Sequence, residues 1–310
     1  MDGKSLLYQL EKRINEADGS SFLDDRTTYE FLNEAAVELV RRTKCLHSST
    51  TITTVADQRA YDLPADFLEF IVLESGNGFK NTASIYKVKM NDGTSDHWIP
   101  FADFEEVLYT EQSTSQAIPN RFTIRDETTQ PSRVTGTAYT AGAASLGECL
   151  LTVSGTDLSD ISVGDVIHNT TDGSTGYVLE RNSAASLYTS LFGGTGNDWT
   201  AGDSFVVQPE GRMQVYLDPP PSTAGYTITV NYIKRPDPVY ADYRAFRFPS
   251  QYQKALVYYA AWLYKYRDRQ PNFGDAWYMF FVQELGRIGA SVGSARVRQP
   301  IKVNMKRTRR

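Results

Sequence analysis

The spacing of apolar residues changes its period twice along this chain, and few folds accommodate such a pattern. Leu6, Leu10 and Ile14 keep an i, i+4, i+8 row closed by Asp18-Gly19, which predicts a first helix. A second is predicted from Thr27-Thr-Tyr-Glu30, where Thr27 and Glu30 have the spacing of a capping box. Its apolar face is Tyr29, Leu32, Ala36, Leu39 and Val40, and Arg41-Arg42-Thr43 supply cations suited to its C-terminal end. Near Ser49 the helical period gives way to the alternation of strands. Thr51-Ile-Thr-Thr-Val55, Phe70-Ile-Val-Leu73, Ser84-Ile-Tyr-Lys-Val88 and Arg121-Phe-Thr-Ile124 are strand candidates, and Pro64 forces a turn between the first two. A short helix is predicted over 101–109.

From about Glu127 to Gln208 the composition shifts to Gly, Ser, Thr and Asp. Within this stretch Ile161-Ser-Val-Gly-Asp165-Val-Ile167 is echoed by Trp199-Thr-Ala-Gly-Asp203-Ser-Phe205, with the two Gly-Asp turns 38 residues apart and each preceding a strand. Leu150-Leu-Thr-Val153 and Gly176-Tyr-Val-Leu179 add further strands, so the stretch reads as a small all-β module, a compact barrel, inserted into a surface loop. Met213-Gln-Val-Tyr-Leu217 and Tyr226-Thr-Ile-Thr-Val-Asn-Tyr-Ile233 then resume the main β domain. After Arg235-Pro-Asp-Pro238 the helical period returns. Ser250-Gln-Tyr-Gln253 suits a second capping box, and Tyr252, Leu256, Tyr259, Leu263 and Tyr266 line one face. Pro271 breaks this helix, and Trp277, Phe281, Leu285 and Ile288 mark the last one.

The expected fold is therefore α+β: N- and C-terminal helices packed together beside a discontinuous antiparallel β domain, with a small all-β module inserted in a loop. The boundaries are 1–48 for the N-terminal helices, 49–126 plus 209–238 for the main β domain, and 127–208 for the insert. The C-terminal helices take 239–290 and a basic tail takes 291–310.

Charge separates that tail from the rest. From Arg287 to Arg310 there are eight basic residues and no acidic one, which leaves the preceding body with 24 basic against 37 acidic residues, or −13. The segment from Arg296 contains Pro300 and β-branched residues without helical period, so it is expected to order on a partner. With 41% hydrophobic residues in 310 the chain is not a disordered one. No basic and apolar leader opens it, and no stretch nears the ~18 apolar residues of a membrane span. Cys45 and Cys149 lie in different segments and read as free thiols in a reducing compartment.

Residues with catalytic potential are scattered. His47, His97 and His168 lack metal-type spacing, and two cysteines so far apart form no zinc cluster. Gly193-Gly-Thr-Gly196 resembles a phosphate loop faintly, but no Gly-Lys-Ser/Thr follows it and a turn is the better reading. Asp66, Asp92, Asp165 and Asp203 occupy turn-like contexts in which Asp bonds its own backbone. The Tyr252, Tyr259, Tyr266 row has a base-stacking reading, but the leucines between them favour core packing or a subunit interface.

Several segments, taken in order, resemble the head-to-tail adaptor (connector, or neck) proteins of tailed bacteriophages. They are Leu32-Asn-Glu-Ala-Ala36 with Arg41-Arg-Thr43 after it, Tyr61-Asp-Leu-Pro-Ala-Asp-Phe-Leu68, and Pro119-Asn-Arg-Phe-Thr-Ile124. Leu217-Asp-Pro-Pro-Pro221, Val230-Asn-Tyr-Ile-Lys-Arg-Pro236, and Phe248-Pro-Ser250 through Ala255-Leu-Val-Tyr-Tyr-Ala-Ala261 complete the set. The insert is a departure that simpler members would not need. The resemblance implies a structural virion protein at the head-tail interface, made in the host bacterial cytoplasm, with no enzymatic activity and no cofactor. It implies a twelve-subunit ring under the portal protein that extends the DNA channel and docks tail (nozzle, tube or fibre) proteins. DNA would pass an acidic lining without specific binding. The tail residues Arg296, Arg298, Ile301, Lys302, Val303, Lys306 and Arg307 are the expected portal anchor. The competing reading is a tail or fibre component that binds host glycans through its β modules. A polysaccharide-degrading enzyme names no carboxylate pair, and a nucleic-acid binder is opposed by the −13 body.

Overall fold

The computed structural model describes residues 2–14, 24–71, 87–103, 105, 107, 116–267 and 271–293. It is a mixed α+β structure in which every strand pairing is antiparallel apart from two isolated bridges, Phe101 with Phe122 and Ala117 with Pro221. Helix α1 (Gly3–Ile14) buries the Leu6, Leu10, Ile14 row. Helix α2 (Asp25–Thr43) starts earlier than the capping-box spacing suggests. Asp24 is its N-cap, accepting from the Thr27 amide at 2.8 Å, and Glu30 is free to reach elsewhere. All five predicted face residues of α2 are buried, and Lys44 closes it in the left-handed region at φ 52.

Helix α3 (Gln253–Arg267) follows a single 3-10 turn, Ser250–Tyr252, that no side chain caps, so the second capping box does not form. Its buried face also differs from the predicted tyrosine row. Tyr252, Ala255, Leu256, Val257, Ala260, Ala261 and Tyr264 are buried, whereas Tyr266 is 63% exposed. The alanines are what allow close approach: α3 packs against α1, α2 and helix α4 (Pro271–Gly293), and a large residue at these positions would hold the axes apart. In α4, Pro271 occupies the first helical position, where its missing amide is harmless, and Phe281 and Ile288 are buried. These helices share one apolar cluster with Val239, Tyr240, Ala241, Phe246 and Phe248 of the connection that leads into α3.

The strands form three sheets. In chain order they are β1 (His47–Thr53), β2 (Ala60–Asp62), β3 (Phe67–Phe70), β4 (Lys87–Asn91), β5 (Asp96–Pro100) and β6 (Arg121–Thr129). β7 (Val134–Thr137), β8 (Cys149–Thr152), β9 (Val166–Asn169), β10 (Thr175–Ser183) and β11 (Ser186–Phe192) follow. β12 (Ser204–Val207), β13 (Arg212–Asp218) and β14 (Thr227–Lys234) complete the set. The first sheet runs β1-β14-β4-β5 with β3 also on β14, and the second runs β2-β13-β6. The two lie against each other over a common core that includes Phe70, Met90, Phe122, Val215, Leu217 and Ile228. Of the predicted strand Ser84-Ile-Tyr-Lys-Val88, Lys87 and Val88 lie in β4, and residues 84–86 lie outside the described residues. Of the predicted helix at 101–109, Glu105 and Val107 are helical and Phe101 bridges to Phe122.

The third sheet, β7-β12-β9-β10-β11-β8, has six strands. Its two outer strands meet where Ala138 bridges Val153 and the Tyr139 amide donates to the Thr152 carbonyl at 2.7 Å, so the sheet closes into a barrel. Leu151, Ile167, Val178, Leu187, Trp199 and Phe205 fill it. Gly176 is required by the tight closure, since a Cβ there would stand 1.7 Å from the Ser190 carbonyl oxygen. The two Gly-Asp turns repeat in atomic detail. Asp165 accepts from the Ser162 amide at 2.7 Å and Asp203 from the Thr200 amide at 2.8 Å, with Gly164 and Gly202 at φ 98 and 95. The barrel occupies the tip of a long hairpin, because β6 and β13, which lead in and out of it, pair directly from Arg121–Asp218 to Thr129–Arg212.

Leu39 sits in the helical cluster with no exposed surface. Leu39→Ala is therefore expected to destabilise the chain by about 2–5 kcal/mol, measured as the shift of the denaturant midpoint at unchanged slope.

Candidate functional site: the seam between barrel and body

One short connection, Arg235 to Phe248, lies between the barrel on one side and the helices on the other. Asn33 of α2 fixes its backbone from below, donating to the Val239 carbonyl at 2.9 Å and accepting from the Val239 amide at 2.8 Å. From the barrel side Tyr177 stacks flat on Tyr240, ring centroids 3.7 Å apart. The Tyr177 hydroxyl reaches across to donate to Glu30 of α2 at 2.9 Å, and Ser190 donates to the Tyr240 carbonyl. Burial pushes the Tyr240 hydroxyl well above its ordinary range, and burial with the neighbouring Asp242 does the same to Tyr29.

Ion pairs complete the seam. Arg244 of the connection makes a bidentate pair with Glu148 at 2.7 and 2.9 Å and a second with Glu180 at 2.7 Å, both carboxylates belonging to the barrel. These hydrogen bonds, Glu148 first, raise the already high Arg244 pKa further. Arg235 pairs with Glu210, whose amide in turn donates to Asp165 of the first Gly-Asp turn. Asp165 is 1% exposed, and burial raises its carboxyl above the usual range. A cleft of about 550 Å³ opens along this seam between the 159–163 turn, β10 and the 234–247 connection.

Of the groups with catalytic potential, Asp165 and Asp66 lie at the seam and the others are dispersed over the described residues. His97 contacts Asp92 at 2.9 Å on the β4–β5 hairpin, His168 contacts Thr175 at 3.0 Å on the barrel wall, and His47 opens β1. Among the described residues no group of three metal-ligating side chains exists. Asp92 is held at about 2, chiefly by the Ser95 amide, as a turn-forming Asp would be. Asp66 accepts from the Tyr232 hydroxyl at 2.8 Å and pairs with Lys234, while Asp203 also receives Asn169. Cys149 is buried beside Thr189, and burial pushes its thiol up to about 11; Cys45 is raised for the same reason. Tyr252 and Tyr259 belong to the helical packing, so the base-stacking row is not presented as a surface.

The glycine loop holds an anion after all, and the anion is the chain's own. The amides of Thr195, Gly196 and Asn197 converge on the Asp172 carboxylate at 2.7, 2.9 and 3.2 Å. Gly196 contributes most to holding that carboxyl down at about 2. No sequence spacing announces Asp172, because the loop that it fills is more than twenty residues further on. The proposed anchor residues Arg296, Arg298, Ile301, Lys302, Val303, Lys306 and Arg307 lie outside the described residues.

The geometry joins one unit to another through stacked tyrosines and partly buried ion pairs, with a charged cleft where they meet. A family model described as SU10 adaptor protein matches residues 1–146 and 135–303, which together span nearly the whole chain. No curated protein matches it.

Two expectations follow from the seam and the loop. Arg244→Ala leaves Glu148 and Glu180 without their shared cation and should lower stability by about 1–3 kcal/mol, with barrel amides on β10 exchanging faster than those of the sandwich. Asp172→Asn should lower the melting temperature at pH 7. A carboxyl whose folded pKa is depressed stabilises above its unfolded value and loses that contribution as pH falls towards about 2. The gap between Asp172→Asn and the parent protein should therefore close between about pH 4 and pH 2, as read from melting curves across that range.

Proposed function

The chain belongs to the SU10 adaptor family of bacteriophage structural proteins, and on that premise we propose that it forms a ring under the portal, extends the DNA channel and docks the tail. The observation that carries this reading is the family match along nearly the full length. The charge split supports it independently. A body at −13 suits a channel that repels phosphates and lets the genome slide, and the basic segment after Arg287 suits insertion into a partner.

In this reading the parts divide the work. The helices of 1–48 and 239–290 pack beside the discontinuous β domain of 49–126 and 209–238, and together they build the ring wall. The module of 127–208 stands on the outside, available to neighbouring subunits or tail components. The tail of 291–310 anchors to the portal through Arg296, Arg298, Lys302, Lys306 and Arg307, with Ile301 and Val303 adding apolar contact. Rim ion pairs alone contribute about 0–1 kcal/mol each, so the two apolar side chains carry weight in the anchor. The ring has twelve copies, matched to the portal, and the free chain is a monomer made in the host cytoplasm that assembles on its partner.

Light-scattering mass of the chain mixed with the portal ring of the same genome tests this directly. A ring-sized complex that disappears when residues after Val292 are removed is the expected outcome. A complex of unchanged affinity with the truncated chain refutes the anchor alone. No complex in either case refutes the portal-ring reading.

A further inference from the structure

The seam cleft gathers six cations in an acidic chain. Arg181, Arg212, Lys234, Arg235, Arg244 and Arg247 line it, against three carboxylates, Asp66, Glu180 and Asp237. Most of these cations already have partners. Lys234 pairs with Asp237 at 2.9 Å and Asp66 at 3.4 Å, Arg235 with Glu210, Arg244 with Glu148 and Glu180, and Arg247 with Asp237 at 3.4 Å.

Arg181 and Arg212 differ. Among the described residues neither has a carboxylate within ion-pair distance. Asp157 is near enough to feel the charge of Arg181 and yet bonds the Ser159 amide instead. Each guanidinium is held by a main-chain carbonyl: Arg181 donates to Ser159 and Arg212 donates to Asp160, the latter at 3.0 Å. Those carbonyls are consecutive, so a strand of the barrel and a strand of the sandwich bring two guanidiniums to one turn. A carbonyl orients an Arg without neutralising it. Of the five N–H groups on each fork, most remain available to a ligand.

We propose that this cleft is a docking site for an acidic polypeptide segment, with Arg181 and Arg212 as the pair that grips its carboxylates. The planar fork matches a carboxylate in a bidentate geometry that a lysine cannot reproduce. The two forks are already oriented, so binding orders little of the protein side. Pro236, Pro238, Ile161 and Leu179 line the same cleft and give a peptide's apolar side chains somewhere to lie. The volume of about 550 Å³ accommodates a few residues of extended chain. A DNA duplex fits these observations less well. It is a wide rod whose phosphates need a broad basic face, and the charges here are recessed in a body carrying −13. The proposal concerns the single chain and goes beyond the ring and portal reading, whose failure would leave it standing.

The test uses the full-length chain at low ionic strength and a fluorescein-labelled hexaglutamate peptide, followed by anisotropy. The parent protein should bind, and R181E/R212E should bind at least about tenfold more weakly. K12E/K254E, which removes the same charge from two helices, should stay within about twofold of the parent. Melting curves check that each variant is folded, and R181Q/R212Q gives the same comparison if the reversal unfolds the barrel. Absence of peptide binding overturns the proposal. Equal weakening by K12E/K254E overturns it too, since attraction would then be diffuse. Displacement of the peptide by a short DNA duplex at matched charge would reassign the cleft to nucleic acid.

Discussion

The stack of Tyr177 on Tyr240 is the contact through which the barrel becomes part of the molecule. Without it, the barrel would hang from two strands, β6 and β13, with freedom to swing about them. The stack lies in the seam, with Asn33 holding the backbone of Val239 beside Tyr240 and Glu30 accepting from the Tyr177 hydroxyl. An aromatic pair contributes about 0.5–1.5 kcal/mol beyond the area it buries, and each buried Tyr adds more through that area. The Arg244 pairs surround this contact and set its registry. The Glu148 pair, partly buried and bidentate, exceeds an exposed pair, which is worth about 0–1 kcal/mol, whereas the half-exposed Glu180 contact is of that exposed kind. Stacking and ion pairs therefore share the adhesion, and the bidentate Arg244 pair adds a directional constraint that the rings lack.

The barrel itself has to be complete before that contact can form. A six-stranded open sheet of short strands would offer two unpaired edges to any neighbouring chain, a template for edge-to-edge association. The bridge from Ala138 to Val153 removes both edges at once. The closure also buries polar groups, and these are answered locally: Trp199 donates to Thr189 at 2.9 Å, and Thr189 donates to the Cys149 carbonyl. The paired Gly-Asp turns and the Asp172 loop do the same for exposed amides at the barrel ends. Each uses one carboxylate to satisfy amides that a tight turn cannot pair with backbone.

The elements of periodic sequence were legible, and the ends of those elements were not. The Leu6, Leu10, Ile14 row and the α2 face are buried as their spacing indicates, since a helix has only one way to hide such a row. Capping was misplaced because Thr27 and Glu30 satisfy a spacing rule while Asp24 is the residue whose backbone is extended at the helix start. The α3 face was misjudged for a different reason. Tyrosines stand out in a hydrophobic pattern, yet a helix surrounded by three others turns its alanines inward, so the buried face runs through Ala255, Ala260, Ala261 and Tyr264 and leaves Tyr266 outside. The repeat of Gly164-Asp165 and Gly202-Asp203 was visible because both turns use the same local chemistry. The seam was invisible, since Tyr177, Glu30 and Tyr240 come from three distant segments and no spacing connects them. The candidate cleft shares that property: Arg181 and Arg212 acquire meaning only when two strands of different sheets deliver them to one turn.

Placing a barrel between two paired strands also explains why the body tolerates it. The hairpin ends at Thr129 and Arg212 are already held together by the ladder that runs to Arg121 and Asp218, so the closed insert adds little loop-closure entropy. Folding of the sandwich core then depends on β6 and β13 finding each other across the insert, which a barrel with its own core makes easier by bringing its two ends close. The cost appears at the seam, where two rounded units cannot pack flush and a cleft remains. A cleft open to solvent suits arginines, which lay apolar stems along walls such as those of Ile161, Leu179, Pro236 and Pro238 and keep their heads hydrated. The same mismatch of shapes that leaves the cleft open thus favours the cations that line it, recessed in a body whose net charge has the opposite sign.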